Sequence, residues 1–269
     1  MNAPTGPGCH GLLAIDIGNT NIHFGLRQDD RWALSWRART VPDKMPDEYA
    51  VLVRNFLASA GLTYGDVTGV VIGSVVPALT LAFAEVAERY LQRRPLIVNA
   101  HTPIGIRIDI DQPEQAGPDR YINAAAVAAL HGGPAIVVDF GTATTFDVVG
   151  ADGSYRGGAI APGILVAHDA LVSRAARLHK IDLQPPPSAI GRNTIHAMQS
   201  GIFLGYIALI EGMVARIKAA MPEPDETITV IATGGLAPLF KQHTPIIDQI
   251  EPELTLEGLR IIYALNQPR

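Results

Sequence analysis

Leu12-Leu13-Ala14-Ile15-Asp16-Ile17-Gly18-Asn19-Thr20-Asn21-Ile22-His23-Phe24-Gly25-Leu26 decides how this chain folds. An apolar run ends in an acid, a Gly-Asn-Thr-Asn turn follows, and a second apolar run leads away. The flanks are short and rich in β-formers, and the centre is built of turn residues, so the stretch reads as a β-hairpin rather than a helix. Its turn sets backbone N–H groups, a hydroxyl and two side-chain amides beside a carboxylate. Such a turn can cradle a phosphate through its amides while the acid holds a metal ion that shields the charge. A plain β-hairpin would use the same residues.

A second copy favours the first reading. Ala135-Ile136-Val137-Val138-Asp139-Phe140-Gly141-Thr142-Ala143-Thr144-Thr145-Phe146-Asp147-Val148-Val149 repeats the plan of apolar strand, Asp-x-Gly-x, hydroxyl-rich turn and apolar strand. Asp16-Ile17-Gly18-Asn19-Thr20 aligns with Asp139-Phe140-Gly141-Thr142-Ala143. A repeat at half-chain spacing implies two homologous halves. Two such turns facing one another across a cleft would bind one nucleoside triphosphate. A chance duplication of hairpins is the alternative.

Outward from the first hairpin, residues 31–39 alternate polar and apolar and read as a third antiparallel strand. Asp47 stands where it would cap a helix that Gly61 ends, residues 67–72 form a buried strand, and Pro77 opens a helix to about residue 90. A short strand at 96–98 completes β-β-β-α-β-α-β. The polar stretch 110–120, with Pro113 and Pro118, suits a domain boundary, and Asp119 sits where an N-cap would open the next helix. The division expected is residues 1–116 and 117–269. The second half repeats the order, with strands at 135–139, 144–149 and 155–161 and a helix through about 178. A long helix follows from Asn193 to about 220, then a strand at 227–232, a helix, and a last helix from about 255 to 265. Ile202, Leu209, Met213 and Ile217 mark one stripe of the long helix, with Phe203, Tyr206 and Ile210 beside it. So wide a stripe puts that helix in a core or at an oligomer interface.

The 269 residues are enough for one large or two ordinary domains, and 48% apolar with 17% charged residues is a globular composition. Net charge is −5 and no basic run exceeds Arg93-Arg94, which argues against a nucleic-acid partner. Residues 1–11 carry neither a charged n-region nor an apolar h-region. They read as a Pro/Gly tail, flexible over 1–10, and not as a signal peptide. No uninterrupted apolar run of membrane-spanning length stands out, so no membrane partner is expected. The single cysteine, Cys9, lies in that tail; a disulfide framework and a cysteine metal site are excluded, in keeping with a cytoplasmic protein.

Familiar nucleotide signals are missing: there is no Gly-Lys-Ser/Thr P-loop, no Gly-x-Gly-x-x-Gly after a strand and no Gly-x-Ser-x-Gly elbow. Asp119 is the sharpest catalytic candidate. It follows Gly117-Pro118, precedes Arg120 and opens a helix, so its carboxylate could take a proton from an alcohol attacking a terminal phosphoryl group while Arg120 holds an anionic substrate. A capping Asp beside a surface Arg is the plainer account. Asp139 is either a cation ligand near the phosphates or the cap of a tight turn. Thr233-Gly234-Gly235 leaves room for a nucleobase or ribose against bare backbone. Asn193-Thr194 is either a helix cap or a hydroxyl for substrate.

Six motifs stand in fixed order: Asp16-Ile17-Gly18-Asn19-Thr20-Asn21, Gly117-Pro118-Asp119-Arg120, the Asp139–Thr145 run, Gly157-Gly158-Ala159-Ile160-Ala161-Pro162-Gly163, Gly191-Arg192-Asn193-Thr194 and Thr233-Gly234-Gly235. In this the chain resembles the type III pantothenate kinases, relatives of the Bvg accessory factor proteins, over nearly its whole length after Gly11. The resemblance implies an α/β protein of the acetate and sugar kinase/Hsp70/actin-like fold, with two duplicated ribonuclease H-like domains and a homodimer formed through the second. It implies ATP-dependent phosphorylation of pantothenate, the first step of coenzyme A biosynthesis. Carried over, Asp119 looks like the general base on the pantothenate hydroxyl. Asp16, Ile17, Gly18, Asn19, Thr20, Asn21, Ile22 and His23 look like the phosphate-binding hairpin, with Asp16 close to Mg²⁺. Thr142, Gly234 and Gly235 look like ATP contacts, and Asp139 like the ligand of a monovalent cation, K⁺ or NH₄⁺. Gly117, Pro118, Arg120 and Thr194 look like pantothenate contacts. Ile110 stands where such kinases often carry a substrate-touching Tyr, a departure that bears on the shape of the pocket. A same-fold kinase for another small hydroxyl compound and a non-catalytic accessory protein are the competing expectations.

Overall fold

The structure is a computed structural model and describes residues 11–267. The expected tail over residues 1–10, Cys9 included, lies outside the described residues. In chain order the elements are β1 (Leu12–Ile17), β2 (Asn21–Gln28), β3 (Arg31–Arg39), α1 (Pro46–Ser59), β4 (Gly69–Ser74), α2 (Pro77–Arg89), β5 (Leu96–Ile97), α3 (Pro118–Leu130), β6 (Ala135–Phe140), β7 (Ala143–Val149), β8 (Tyr155–Pro162), α4 (Ile164–Arg174), α5 (Thr194–Gln199), α6 (Gly205–Ala220), β9 (Thr229–Thr233), α7 (Ala237–Lys241), β10 (Gln249–Ile250) and α8 (Leu254–Leu265).

The chain divides into two compact units. One runs to Gly132 and takes in Gly153–Tyr155 and the chain from Glu253 on; the other comprises Gly133–Asp152 and Arg156–Pro252. The first sheet has the order β3-β2-β1-β4-β5 and the second β10-β9-β6-β7-β8. In each, an antiparallel hairpin (β1–β2, β6–β7) stands beside a parallel neighbour (β4, β9). The repeated Asp-x-Gly stretches are therefore the turns of equivalent hairpins, and both halves run β-β-β-α-β-α-β with extra helices in the second.

Period-two alternation gives the first sheet two different faces. Leu13, Ile15 and Ile17 of β1, with Ile22, Phe24 and Leu26 of β2, pack on Tyr49, Val53 and Leu57 of α1 and on Leu79, Phe83 and Val86 of α2. The opposite face carries Gly25, Gly69 and Gly73, and here α3 and α8 lie down. A Cβ on Gly25 would stand 2.7 Å from Leu256, one on Gly73 would stand 2.8 Å from Ile122, and one on Gly69 would overlap the Tyr263 hydroxyl. Helices α3 and α8 touch each other at Gly258, whose Cβ would collide with the Ile122 carbonyl oxygen. The inward residues expected of the last helix, Leu256, Leu259, Ile262 and Tyr263, are all buried.

This packing corrects the division expected at residues 116 and 117. Both α3 and α8 come from the second stretch, yet they belong to the first unit because its glycine-stripped face accepts them. Other boundaries also move. Helix α1 is entered from Met45 through Pro46, leaving Asp47 in its first turn, and α4 stops at Arg174. The long helix is interrupted by a π-helical turn over Ser200–Leu204. Phe203, Tyr206, Ile210 and Val214 are its buried face, packed on Ile136, Val138, Phe140 and Phe240, while Ile202, Leu209, Met213 and Ile217 are half-covered. By length and composition Thr194–Ala220 could cross a membrane, with a mean hydropathy of 1.5 in its most apolar window, contrary to the expectation of no such run. Its buried face belongs to the core of the second unit.

Gly258 allows a test of which effect governs α8. Helix propensity alone favours Ala over Gly by about 1 kcal/mol. Overpacking against a backbone oxygen costs about 1–3 kcal/mol, and a carbonyl cannot swing aside as a side chain can. Gly258→Ala is expected to lower the melting temperature, measured by thermal denaturation; a rise would show that propensity wins and that α8 is not pressed on α3.

Candidate functional site

In the first unit the turn after β1 is held from below. Gly18 N–H donates to the Asn21 carbonyl (3.0 Å), the Thr40 hydroxyl donates to the Gly18 carbonyl (2.6 Å), and Thr40 N–H donates to the Thr20 carbonyl (2.9 Å). Asn19, Thr20 and Asn21 are left exposed at the tip, above a half-buried Gly18 and Asp16. Asp16 pairs with His23 across the hairpin and with Gly73 in the parallel strand. The role of Thr40 was not legible in the sequence, since it lies beyond β3 and meets the turn only in three dimensions.

His23 is drawn away from the tip. Its Nε2 is 2.8 Å from Ser35 Oγ and 3.2 Å from a Glu253 carboxylate oxygen. Burial, and then the positive Arg37, push the imidazole down to about 4, so it is neutral near pH 7. Burial pushes the Glu253 carboxyl up, against the pull of Arg37. His23 therefore brings to this hairpin its backbone and a neutral ring rather than a cation.

The Gly117–Arg120 segment lies at the same edge of the sheet, the carboxyl ends of β1 and β4, where open α/β sheets take their ligands. Val75, just past β4, donates its N–H to the Ile17 carbonyl (3.0 Å) and reaches to 3.3 Å from where a Cβ on Gly117 would be. Gly117 rather than Asp119 is the N-cap of α3; Pro118 and Asp119 follow inside the first turn. Asp119 folds back over Gly117, so that a Cβ there would be 2.5 Å from Oδ1, and this oxygen accepts from Arg120 N–H (3.0 Å). The positive end of the helix favours a carboxylate at this place. Burial first, and Asp119 second, push the Tyr121 hydroxyl up to about 12. Arg120 lies over the ring of Tyr155, 5.8 Å from its centroid. Ile110 is half-buried, one residue beyond the Asp109 N–H that donates to the Tyr155 carbonyl (2.7 Å).

In the second unit Asp139 pairs with Thr145, and Gly141 N–H donates to the Ala143 carbonyl (3.0 Å). Thr142 is exposed at the tip, its carbonyl accepting from Gly163 N–H (3.1 Å) at the start of α4. Gly234, at φ +87°, lies against the base of this turn: a Cβ would stand 2.6 Å from the Phe140 carbonyl oxygen and 2.8 Å from Asp139 Oδ1. Gly235, the next residue, is exposed with open space above it. A carboxylate and a carbonyl oxygen beside a bare Cα form an oxygen-lined cradle that fits a hard cation. Asn193 caps α5 by accepting from His196 N–H (2.8 Å), and Thr194 is exposed beside it. Thr194 lines a groove of about 740 Å³ with Arg192, Leu171, Leu178, Met198 and Ile202.

The structure thus gathers the hairpin at 16–23, Ile110 and Gly117–Arg120 in one unit, and Asp139, Thr142, Thr194, Gly234 and Gly235 in the other. Among the described residues there is no cluster of three or more His, Cys, Asp or Glu that could hold a metal ion. A divalent ion here would rest on one carboxylate and the phosphates of a nucleotide, as Mg²⁺ commonly does, and Asp16 beside the turn fits that demand.

Duplicated β-β-β-α-β-α-β units, each with an Asp-x-Gly turn, define the actin-like class that includes sugar kinases. Solved structures agree on the fold. A candidate Baf family transcriptional activator from Campylobacter jejuni superposes with a TM-score of 0.61 at 19% identity, covering 94% of this chain and 98% of its own. A candidate 2-dehydro-3-deoxygalactonokinase from Sinorhizobium meliloti gives 0.55 at 15% identity, over 96% and 97% of the two chains. The family model for type III pantothenate kinase matches residues 12–216, and the type III pantothenate kinase of Roseiflexus sp. (strain RS-1) is 50% identical over 95% of this chain and 99% of its own. The chain belongs to the type III pantothenate kinase family.

The depressed imidazole of His23 has a consequence for stability. Between its unfolded value of 6.5 and its folded value of about 4, the unfolded chain takes up a proton that the folded chain refuses. Stability must therefore fall as the pH drops through that window. The raised Glu253 contributes with the opposite sign, so the imidazole is isolated by comparison. Melting temperatures of wild type and His23→Asn from pH 7 to 4 should show the steeper loss in wild type; parallel curves would remove His23 from the account.

Proposed function

We propose that Asp119 is the general base in the phosphorylation of pantothenate by ATP. The carrying observation is its carboxylate, folded over the bare Cα of Gly117 at the start of α3 and at the carboxyl edge of the sheet that holds the Asp16 turn. The hydroxyl oxygen of pantothenate attacks the γ-phosphorus, the new P–O bond forms, the bond to the β-phosphate oxygen breaks, and ADP leaves. The hydroxyl proton passes to Asp119. In a loose transition state the chain contributes mainly position and charge. Arg120 holds the acceptor beside Gly117 and Pro118, with Thr194 a further contact. The 17–23 backbone receives the phosphates, and Thr142, Gly234 and Gly235 the rest of the nucleotide.

A divalent ion at Asp16, Mg²⁺ in this reading, offsets phosphate charge. Asp139 and the Phe140 carbonyl oxygen, facing Gly234, would hold a monovalent cation, K⁺ or NH₄⁺. The homodimer is supported by apolar side chains that the second unit leaves in solvent: Ile190 is 79% exposed, Ile160 65%, Ile195 56% and Leu165 54%. Strand β8, which carries Ile160, is moreover the last strand at one edge of its sheet. ATP as donor suits a cytoplasmic enzyme. Ile110 keeps a second reading open, a different small hydroxyl acceptor, which a panel of alcohols offered with ATP separates from the first.

Asp119→Asn keeps the shape and removes the base. It is expected to lower turnover by about 10²–10⁴-fold while ATP still binds, followed by ADP release and by titration of the nucleotide. Near-normal turnover would overturn the assignment. In wild type, ADP release should require pantothenate and should drop when Na⁺ replaces K⁺; indifference to the ion would remove the cation from Asp139.

A further inference from the structure

Arg120 occupies an awkward place. It is in the first turn of α3, where the helix dipole repels a cation. Lys or Arg is stabilised at the other end of a helix, so something must hold the guanidinium here. The ring of Tyr155 lies 5.8 Å from it, within the range at which an aromatic face attracts a cation. Tyr155 is itself wholly buried, so its ring is a fixed wall and not a substrate contact.

Its backbone is fixed as well. Tyr155 N–H donates to the Arg107 carbonyl (2.9 Å), its own carbonyl accepts from Asp109 N–H (2.7 Å), and it pairs in parallel with Ile108. One residue thus ties down both parts of the acceptor wall: its main chain aligns the segment that leads to Ile110, and its ring supports Arg120. Its neighbour in sequence, Arg156, already belongs to the other unit, so Gly153–Tyr155 is a three-residue excursion into this one. A merely structural strand start would not need an aromatic under the one cation of the Gly117–Arg120 motif.

We propose that Tyr155 is a positioning residue for the acceptor: its ring presets the Arg120 guanidinium through a cation–π contact, and its backbone sets the register of the 107–110 segment. This rests on the reading of Arg120 as a pantothenate contact. Tyr155 does no chemistry, so its loss should appear in the affinity for pantothenate and not in that for ATP.

The test replaces Tyr155 with Phe and then with phenylalanines bearing one, two and three ring fluorines, which weaken the ring face with little change of shape. Arg120→Gln is measured in parallel. Phe at 155 should leave KM for pantothenate within about twofold, and KM should climb stepwise with fluorination to about tenfold, with KM for ATP unchanged. Tyr155→Leu should match or exceed the most fluorinated ring. A flat fluorine series beside an Arg120→Gln that raises KM for pantothenate would overturn this proposal alone. A flat Arg120→Gln would overturn the Arg120 assignment and this proposal with it. An equal rise in both KM values would also overturn it, since a ring acting through Arg120 spares the nucleotide.

Discussion

Helix α8 crosses α3 at Gly258, with the Ile122 backbone where a side chain would be, and much of the first unit depends on that contact. Bare Cα atoms at Gly25, Gly69 and Gly73 bring the helix pair down onto the sheet. Polar groups then fix the register. The Thr255 hydroxyl meets the buried Asn123 of α3 (2.8 Å), and Glu257 accepts from Trp32 Nε1 (2.5 Å), Arg27 Nη1 (3.2 Å) and Arg260 Nε (2.8 Å). The half-buried carboxylate thus gathers three donors from three elements. The last helix of the chain is thereby locked to its first hairpin.

The two hairpins solve one problem at two sizes. The residues between β1 and β2 are Gly18, Asn19 and Thr20; those between β6 and β7 are only Gly141 and Thr142. The longer turn leaves Asn19 and Thr20 exposed at its tip and is braced from below by Thr40. The tighter one brings the Asp139 carboxylate and the Phe140 carbonyl together against Gly234. Duplication supplied the same plan twice, and the two turns differ in length by one residue.

The element order of the first unit and both turns could be read from sequence because alternation and turn chemistry are local, whereas the two-residue β10 leaves no such pattern. So could the inward face of α8, since Leu256, Leu259, Ile262 and Tyr263 recur at helical spacing. Its destination could not. Whether a helix joins the sheet before it or the one far behind depends on which sheet face lacks side chains, and Gly25, Gly69 and Gly73 become one stripe only after β2, β1 and β4 are placed side by side. The π-helical turn at Ser200–Leu204 is likewise silent in the apolar pattern, and so is the choice of inward face: the stripe written through Ile202 and Leu209 is half-covered, and Phe203, Tyr206 and Ile210 go inside. His23 reads as a phosphate ligand in the linear motif, but its ring faces Ser35 and Glu253, both distant in sequence.

Asp119 and Arg120 stand on one helical turn with opposite electrostatic fates. The dipole of α3 welcomes the carboxylate and repels the guanidinium. Gly117 makes room for the first and Tyr155 underlies the second, so each charge is placed by a neighbour of the right shape rather than by the other charge alone. In the reading proposed for this site, an acceptor that is both an alcohol and an anion would meet these two groups, one for its proton and one for its negative charge, at a fixed spacing. Rigid placement matters more here than strength, because misplacing a reacting group by an ångström costs orders of magnitude in rate. That spacing is inherited from α3, whose position is inherited in turn from α8 and the glycine face beneath it.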